Sequence, residues 1–174
     1  KRGVEVKGFN TAFAGDVPLG AGMSSSAALE SAYAYAINDL FGENKIDKFE
    51  LARVGQATEH NYCGVKCGIM DQFASVFGKE GSLMRLDCRS MEYQYFPFKP
   101  EGYRLVLVDS VVKHELASSA YNKRRESCEN VVKAIAKKHE GVEFLRDCTL
   151  EMLAEVKAEV SEEDYMRAEY VIEE

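Results

Sequence analysis

The sequence predicts an α+β fold. Three observations carry the prediction: short stretches of alternating apolar and polar residues, longer stretches in which apolar residues recur at three- and four-residue steps, and a glycine- and serine-rich loop that runs straight into one of the latter. At 174 residues the chain accommodates one domain or two small lobes, with enough length to bury a core.

Val4 and Val6, then Phe9, Thr11 and Phe13 within Gly8 to Ala14, alternate as strand residues do when one sheet face is buried, and predict one or two β segments. The loop from Gly15 to Ser26 follows. Gly20 and Gly22 permit a left-handed backbone and let a ligand approach the main chain, because neither carries a Cβ. Ser24, Ser25 and Ser26 bring hydroxyls and N-cap chemistry to a point where the first four helical N–H groups have no internal partner. Such a start can hold a phosphate against the positive end of the helix dipole, or it can be a well-capped helix after a flexible turn. Ala28, Leu29, Ala32, Tyr33, Ala36, Ile37, Leu40 and Phe41 predict the buried stripe of the ensuing helix, which Gly42 ends.

Asp47 and Glu50 read as a capping box for the next helix, with Leu51, Val54, Thr58 and Tyr62 inward and Gly64 as its stop. Glu59 lies near the C-terminal end, where a carboxylate opposes the helix dipole. Between Gly68 and Gly78 a short helix is expected, with Ile69, Met70, Phe73, Ala74, Val76 and Phe77 on one face and Asp71, Gln72 and Ser75 on the other. Asp71 in its first turn suits a rigidly held general base or a plain surface carboxylate. Ser82 to Asp87 and Glu92 to Phe98 predict a hairpin through Cys88-Arg89-Ser90, and Leu105 to Asp109 predicts a further strand after Pro97 and Pro100. A lobe boundary is placed near Lys99 to Gly102. A helix from about Tyr121 to His139 turns Cys128, Val131, Val132, Ile135 and Ala136 inward, and its Lys123-Arg124-Arg125 run, beside Glu126 and Glu129, reads as a salt-bridged face. Thr149 and Ser161 are N-caps of two short helices.

The formal net charge of -7 disfavours nucleic acid and anionic membranes as partners. No apolar run approaches the roughly 18 residues of a membrane span, and a cytoplasmic protein is expected. Five cysteines form an odd, widely spaced set that argues against a disulfide framework. His60, Cys63 and Cys67 raise a zinc reading, but there is no C-x-x-C and no second ligand pair, so free thiols are the stronger reading.

Pro18-Leu19-Gly20-Ala21-Gly22-Met23-Ser24-Ser25-Ser26-Ala27-Ala28 is similar to the phosphate-binding loop of the GHMP kinase superfamily, P-x-G-x-G-L-x-S-S-A, with Met23 for leucine. Cys67 to Phe73, Asp87 to Ser90 and Ala117 to Glu129 resemble galactokinase segments in the same order, so the resemblance runs over essentially the whole chain. It implies a GHMP kinase-like two-lobed fold, with an N-terminal lobe like ribosomal protein S5 domain 2 and a ferredoxin-like C-terminal lobe, of which residues 1–100 and 101–174 would be parts. It implies transfer of the γ-phosphoryl of ATP to the C1 hydroxyl of galactose. Gly20, Ala21, Gly22, Met23, Ser24, Ser25 and Ser26 would wrap the nucleotide phosphates, Ser26 and Glu59 would hold Mg²⁺, and Asp71 would be the base. Gly68 and Tyr121 match sugar-contacting positions. Two related readings stay open: a galactose- and ATP-binding sensor without turnover, and a kinase for N-acetylgalactosamine. Galactokinases also carry an earlier glycine-arginine start and Glu-His-x-Asp run, and a later glycine-rich motif, none of which stands in this sequence. The expectation is the middle of a longer, monomeric kinase, with little activity as the isolated chain.

Overall fold

Two sets of elements, each with its own apolar core, are visible in the computed structural model, which describes residues 2–108 and 117–174. They form two compact units, Lys1–His114 and Glu115–Glu174.

In the first unit, helix α1 (Ser25–Gly42) follows the glycine loop, and α2 (Lys48–Thr58) starts where Asp47 accepts a hydrogen bond from the Glu50 amide. The chain then widens into a π-helical turn (Glu59–Cys63), closed by Gly64 at φ 71°. Helix α3 (Met70–Phe77) leads to an antiparallel hairpin of β1 (Ser82–Leu86) and β2 (Tyr93–Pro97), with Ser82 opposite Pro97. Leu51, Ala52, Ile69, Phe73, Val76 and Phe77 form the core. The rings of Phe73 and Phe77 stack at 4.1 Å, Tyr93 meets both edge-on or tilted, and the Tyr95 hydroxyl donates to the Phe77 carbonyl, so the hairpin is fastened to α3.

Several expectations are corrected here. Residues 4–14 form no strand. Among the described residues the sheet is the β1–β2 pair alone, and alternation without a neighbouring ladder does not make a strand. Instead this segment lies along α1, with Phe9 on Phe41 at 5.6 Å and Phe13 on Tyr33 at 6.1 Å. Leu105, Val106, Leu107 and Val108 likewise form no strand and are exposed, and Asp109 lies outside the described residues. The buried side of α1 is Ala27, Ser31, Asn38 and Gly42, whereas Leu29 and Leu40 are exposed. Small residues permit the close approach: a Cβ on Gly42 would sit 3.2 Å from Val4 Cγ2. Asn38 is satisfied by a two-way hydrogen bond with the Ile46 backbone, which fixes the α1–α2 connection. Tyr62 is exposed because the π turn rotates it off the α2 stripe. On α3, Met70 is exposed and Gln72 buried, the reverse of the expected faces.

The second unit holds α4 (Ala117–Ala136), a 3-10 turn (Leu145–Asp147), α5 (Leu150–Glu155) and α6 (Glu162–Glu173) around Val131, Ile135, Leu153, Val156 and Ala168. Thr149 and Ser161 cap α5 and α6 as expected, accepting from the Met152 and Asp164 amides. Ala134 takes the core place expected of Ala136. Arg125 pairs with Glu129 at 2.9 Å, in keeping with a salt-bridged face.

Candidate active site

The loop ahead of α1 adopts the backbone its glycines predict. Gly20 and Gly22 both have φ +72°, and a Cβ on either would meet nothing within 4 Å, so the main chain there is open to approach. The serines behave differently from the capping expectation. Ser24 is the N-cap residue but in the left-handed region (φ 55°, ψ 46°), and its side chain makes no capping bond. The start of α1 is therefore left without the oxygen that normally caps it. Ser26 is exposed one residue into the helix.

One helical turn after Ser26, on the same face of α1, stands Glu30. Its carboxyl meets that of Glu59, which the π turn places at 7 % exposure, and the Cys63 thiol. Ligand-type atoms of all three lie within 4.8 Å of one another. Burial, together with the adjacent Glu59 charge and a hydrogen bond between the two carboxyl groups, raises Glu30 to about 7. The Gln72 amide donates to Glu30 Oε2 at 3.4 Å, while Gln72 Oε1 is buried without a partner. Gly55 of α2 makes this packing possible: a Cβ there would sit 2.8 Å from Gln72 Cγ and 3.4 Å from Glu30 Oε2.

Asp71 is half-buried in the first turn of α3, next to Gln72, and Gly68 is exposed just ahead of it with open space around its Cα. Tyr121 is an exposed residue of the second unit. The structure thus joins Glu59 to α1 through Glu30. Neither Glu30 nor Gln72 was singled out from the sequence. A lone carboxylate inside the run Ala27-Ala28-Leu29-Glu30-Ser31-Ala32 was the available signal for the first.

The zinc set does not assemble. His60 Nε2 bonds the Cys67 carbonyl at 2.8 Å, and among the described residues Cys63 is grouped with Glu30 and Glu59 and not with His60 and Cys67. All five cysteines are free; Cys148 is buried, while Cys63 and Cys88 are exposed.

Residues 1–79 match the GHMP kinases N terminal domain. A galactokinase of Thermotoga maritima is 46% identical over all 174 residues, which cover 47% of that protein, and a galactokinase of Clostridium tetani is 38% identical over 156 residues, covering 90% of this chain and 40% of that one. The chain therefore spans about half the length of the curated relatives it matches. Lactococcus lactis galactokinase, solved in complex with galactose, superposes with a TM-score of 0.73 at 26% identity, over 92% of this chain and 41% of that one. Over its whole length the chain is similar to galactokinases, its residues 1–79 match the GHMP kinases N terminal domain, and its α+β elements resemble those of the Lactococcus lactis enzyme.

Proposed function

We propose that this chain supplies the phosphate-binding loop, the metal carboxylate and the catalytic base of an ATP-dependent galactokinase. The observation that carries the reading is the role of α1. It begins at an uncapped, open glycine loop and, one turn later, presents Glu30 to Glu59. A phosphate site and a carboxylate site therefore share one rigid helix. The uninterrupted Ser24-Ser25-Ser26-Ala27-Ala28 run favours the enzyme over a sensor.

In this reading the N–H groups of Gly20 to Ser26 hold the nucleotide phosphates against the helix dipole. Ser26 and Glu59 would hold Mg²⁺. The donor set fits, since hydroxyl and carboxylate are hard oxygen ligands, and Gln72, whose amide meets Glu30 next to Glu59, has a buried Oε1 without a donor. Bound there, the cation supplies charge neutralisation to the phosphates. Asp71 accepts the proton of the C1 hydroxyl as that oxygen bonds to the γ-phosphorus, the bond from the γ-phosphorus to the bridging oxygen breaks, and ADP leaves. Gly68, and separately Tyr121, are assigned to sugar contacts by the resemblance to galactokinases. Residues 1–100 and 101–174 are assigned to the N- and C-terminal lobes of a soluble, cytoplasmic, monomeric protein. Among the described residues no helix is long and apolar enough to cross a membrane.

The test is a sugar panel on the protein that contains this chain, read as ATP consumption. Galactose-dependent consumption is expected. Consumption with N-acetylgalactosamine alone would overturn the substrate, and binding of galactose and ATP without turnover would favour the sensor. The 174-residue chain by itself should show little ADP release, and turnover equal to that of the longer protein would contradict the need for further segments.

A further inference from the structure

We propose that Glu30 is a second carboxylate of the cation site, facing Glu59 across the π turn and backed by the Gln72 amide, and that this set takes a hard divalent cation such as Mg²⁺ or Mn²⁺. The inference deepens the kinase reading and rests on it for the role of Glu59.

Three independent features converge. Carboxyl oxygens of Glu30 and Glu59 lie within 4.8 Å of one another, and Glu59 is 7 % exposed. Two carboxylates held that close, one of them buried and the other half-buried, are stabilised by a counter-charge or a shared proton. Gln72 is 2 % exposed, its amide head meets Glu30 at 3.4 Å, and its Oε1 has no partner. A buried amide oxygen without a donor is costly, and a water carried by a cation between the carboxylates is the kind of donor it lacks. Lastly, α2 packs tightly on Gln72 of α3 at Gly55, where a Cβ would sit 2.8 Å from Gln72 Cγ and in ordinary contact, 3.4 Å, with Glu30 Oε2. Among the described residues this is the only group of three or more possible metal ligands, and it adjoins the turn bearing Ser26. Two carboxylates against one exposed thiol make this mainly an oxygen site, which points to a hard ion.

The site is tested on the protein that contains this chain with Mn²⁺ alone, without nucleotide or sugar, by loss of the free-ion electron paramagnetic resonance signal. The unsubstituted protein should bind one Mn²⁺, and Glu30→Gln and Glu59→Gln should each weaken it at least tenfold, with unchanged circular dichroism. A parallel readout is thermal: Mn²⁺ should raise the melting temperature of the unsubstituted protein and not that of Glu30→Gln. Binding lost in Glu59→Gln but kept in Glu30→Gln would overturn the role of Glu30, and so would absence of Mn²⁺ binding by the unsubstituted protein. Binding kept in Glu59→Gln but lost in Glu30→Gln would remove Glu59 and, with it, the metal assignment of the kinase reading. The sugar panel is independent of all of these results.

Discussion

Replacing Glu30 by Gln keeps the shape of the side chain and removes its charge, so it isolates the electrostatics of the carboxyl pair. In the fold Glu30 titrates at about 7 against an ordinary 4.5, because burial and the Glu59 charge oppose ionisation. The sign follows directly. Below pH 4.5 both folded and unfolded chains hold the proton, and the group has no net effect. Between 4.5 and 7 the unfolded chain releases the proton and the folded one keeps it, so stability falls as pH rises; above 7 the full penalty is in place. The gap corresponds to roughly 3 kcal/mol. Glu30 is partly exposed, and screening reduces the penalty to about 1 to 2 kcal/mol. With divalent ions chelated, Glu30→Gln should therefore melt roughly 3 to 6 °C above the parent chain at pH 8 and level with it near pH 4.5. The assay is a thermal melt followed by circular dichroism across that range. A gap that does not change with pH, or a less stable variant at pH 8, would refute the reasoning.

Asp71→Asn in the longer protein should lower kcat by two or more orders of magnitude while ATP binding, measured by calorimetry, is largely kept; near-normal kcat would remove Asp71 from the base role. Phe73→Ala deletes a fully buried ring that stacks on Phe77 and should cost about 3 to 5 kcal/mol in denaturant unfolding of the first unit. Gly55→Ala should displace Gln72, against the usual helix-stabilising direction of that exchange, and the measured sign of the stability change decides the matter. Ser161→Ala should cost about 1 kcal/mol, with hydrogen exchange accelerating first in the opening turn of α6.

Local rules were legible wherever the chemistry is local. Asp47, Thr149 and Ser161 cap as side chains three residues from their partner amides should, and the hairpin follows its turn, where Asp87 receives the Arg89 and Ser90 amides. Strand residues were not legible in the same way. A strand is defined by its neighbour, so Val4, Val6 and Leu105 to Val108 carry the composition of strands and, among the described residues, none of the pairing. Helix faces failed where apolarity surrounds the helix. On α1 the sequence offers two apolar sides, and the small side, Ala27, Ser31 and Gly42, is the one buried, because close helix packing rewards the absence of bulk.

The candidate site divides along the same line. Gly20, Gly22 and the serine run announce a phosphate loop because backbone geometry is written in residue type. The carboxyl cluster is assembled from α1, a π turn and α3, and no spacing rule links Glu30, Glu59 and Gln72 across 42 residues. What converts them into a site is the extra residue of the π turn and the missing side chain at Gly55. The π turn places Glu59 inward while Tyr62, expected on the inner stripe, points out. Gly55 lets Gln72 close over Glu30. The two devices are separable: Gly55→Ala should disturb the Gln72 contact while Glu59 stays on its turn. If a cation is held by both carboxylates, Mn²⁺ binding in that variant should weaken less than in Glu30→Gln, and equal weakening would mean that the Gln72 amide is as necessary as the charge.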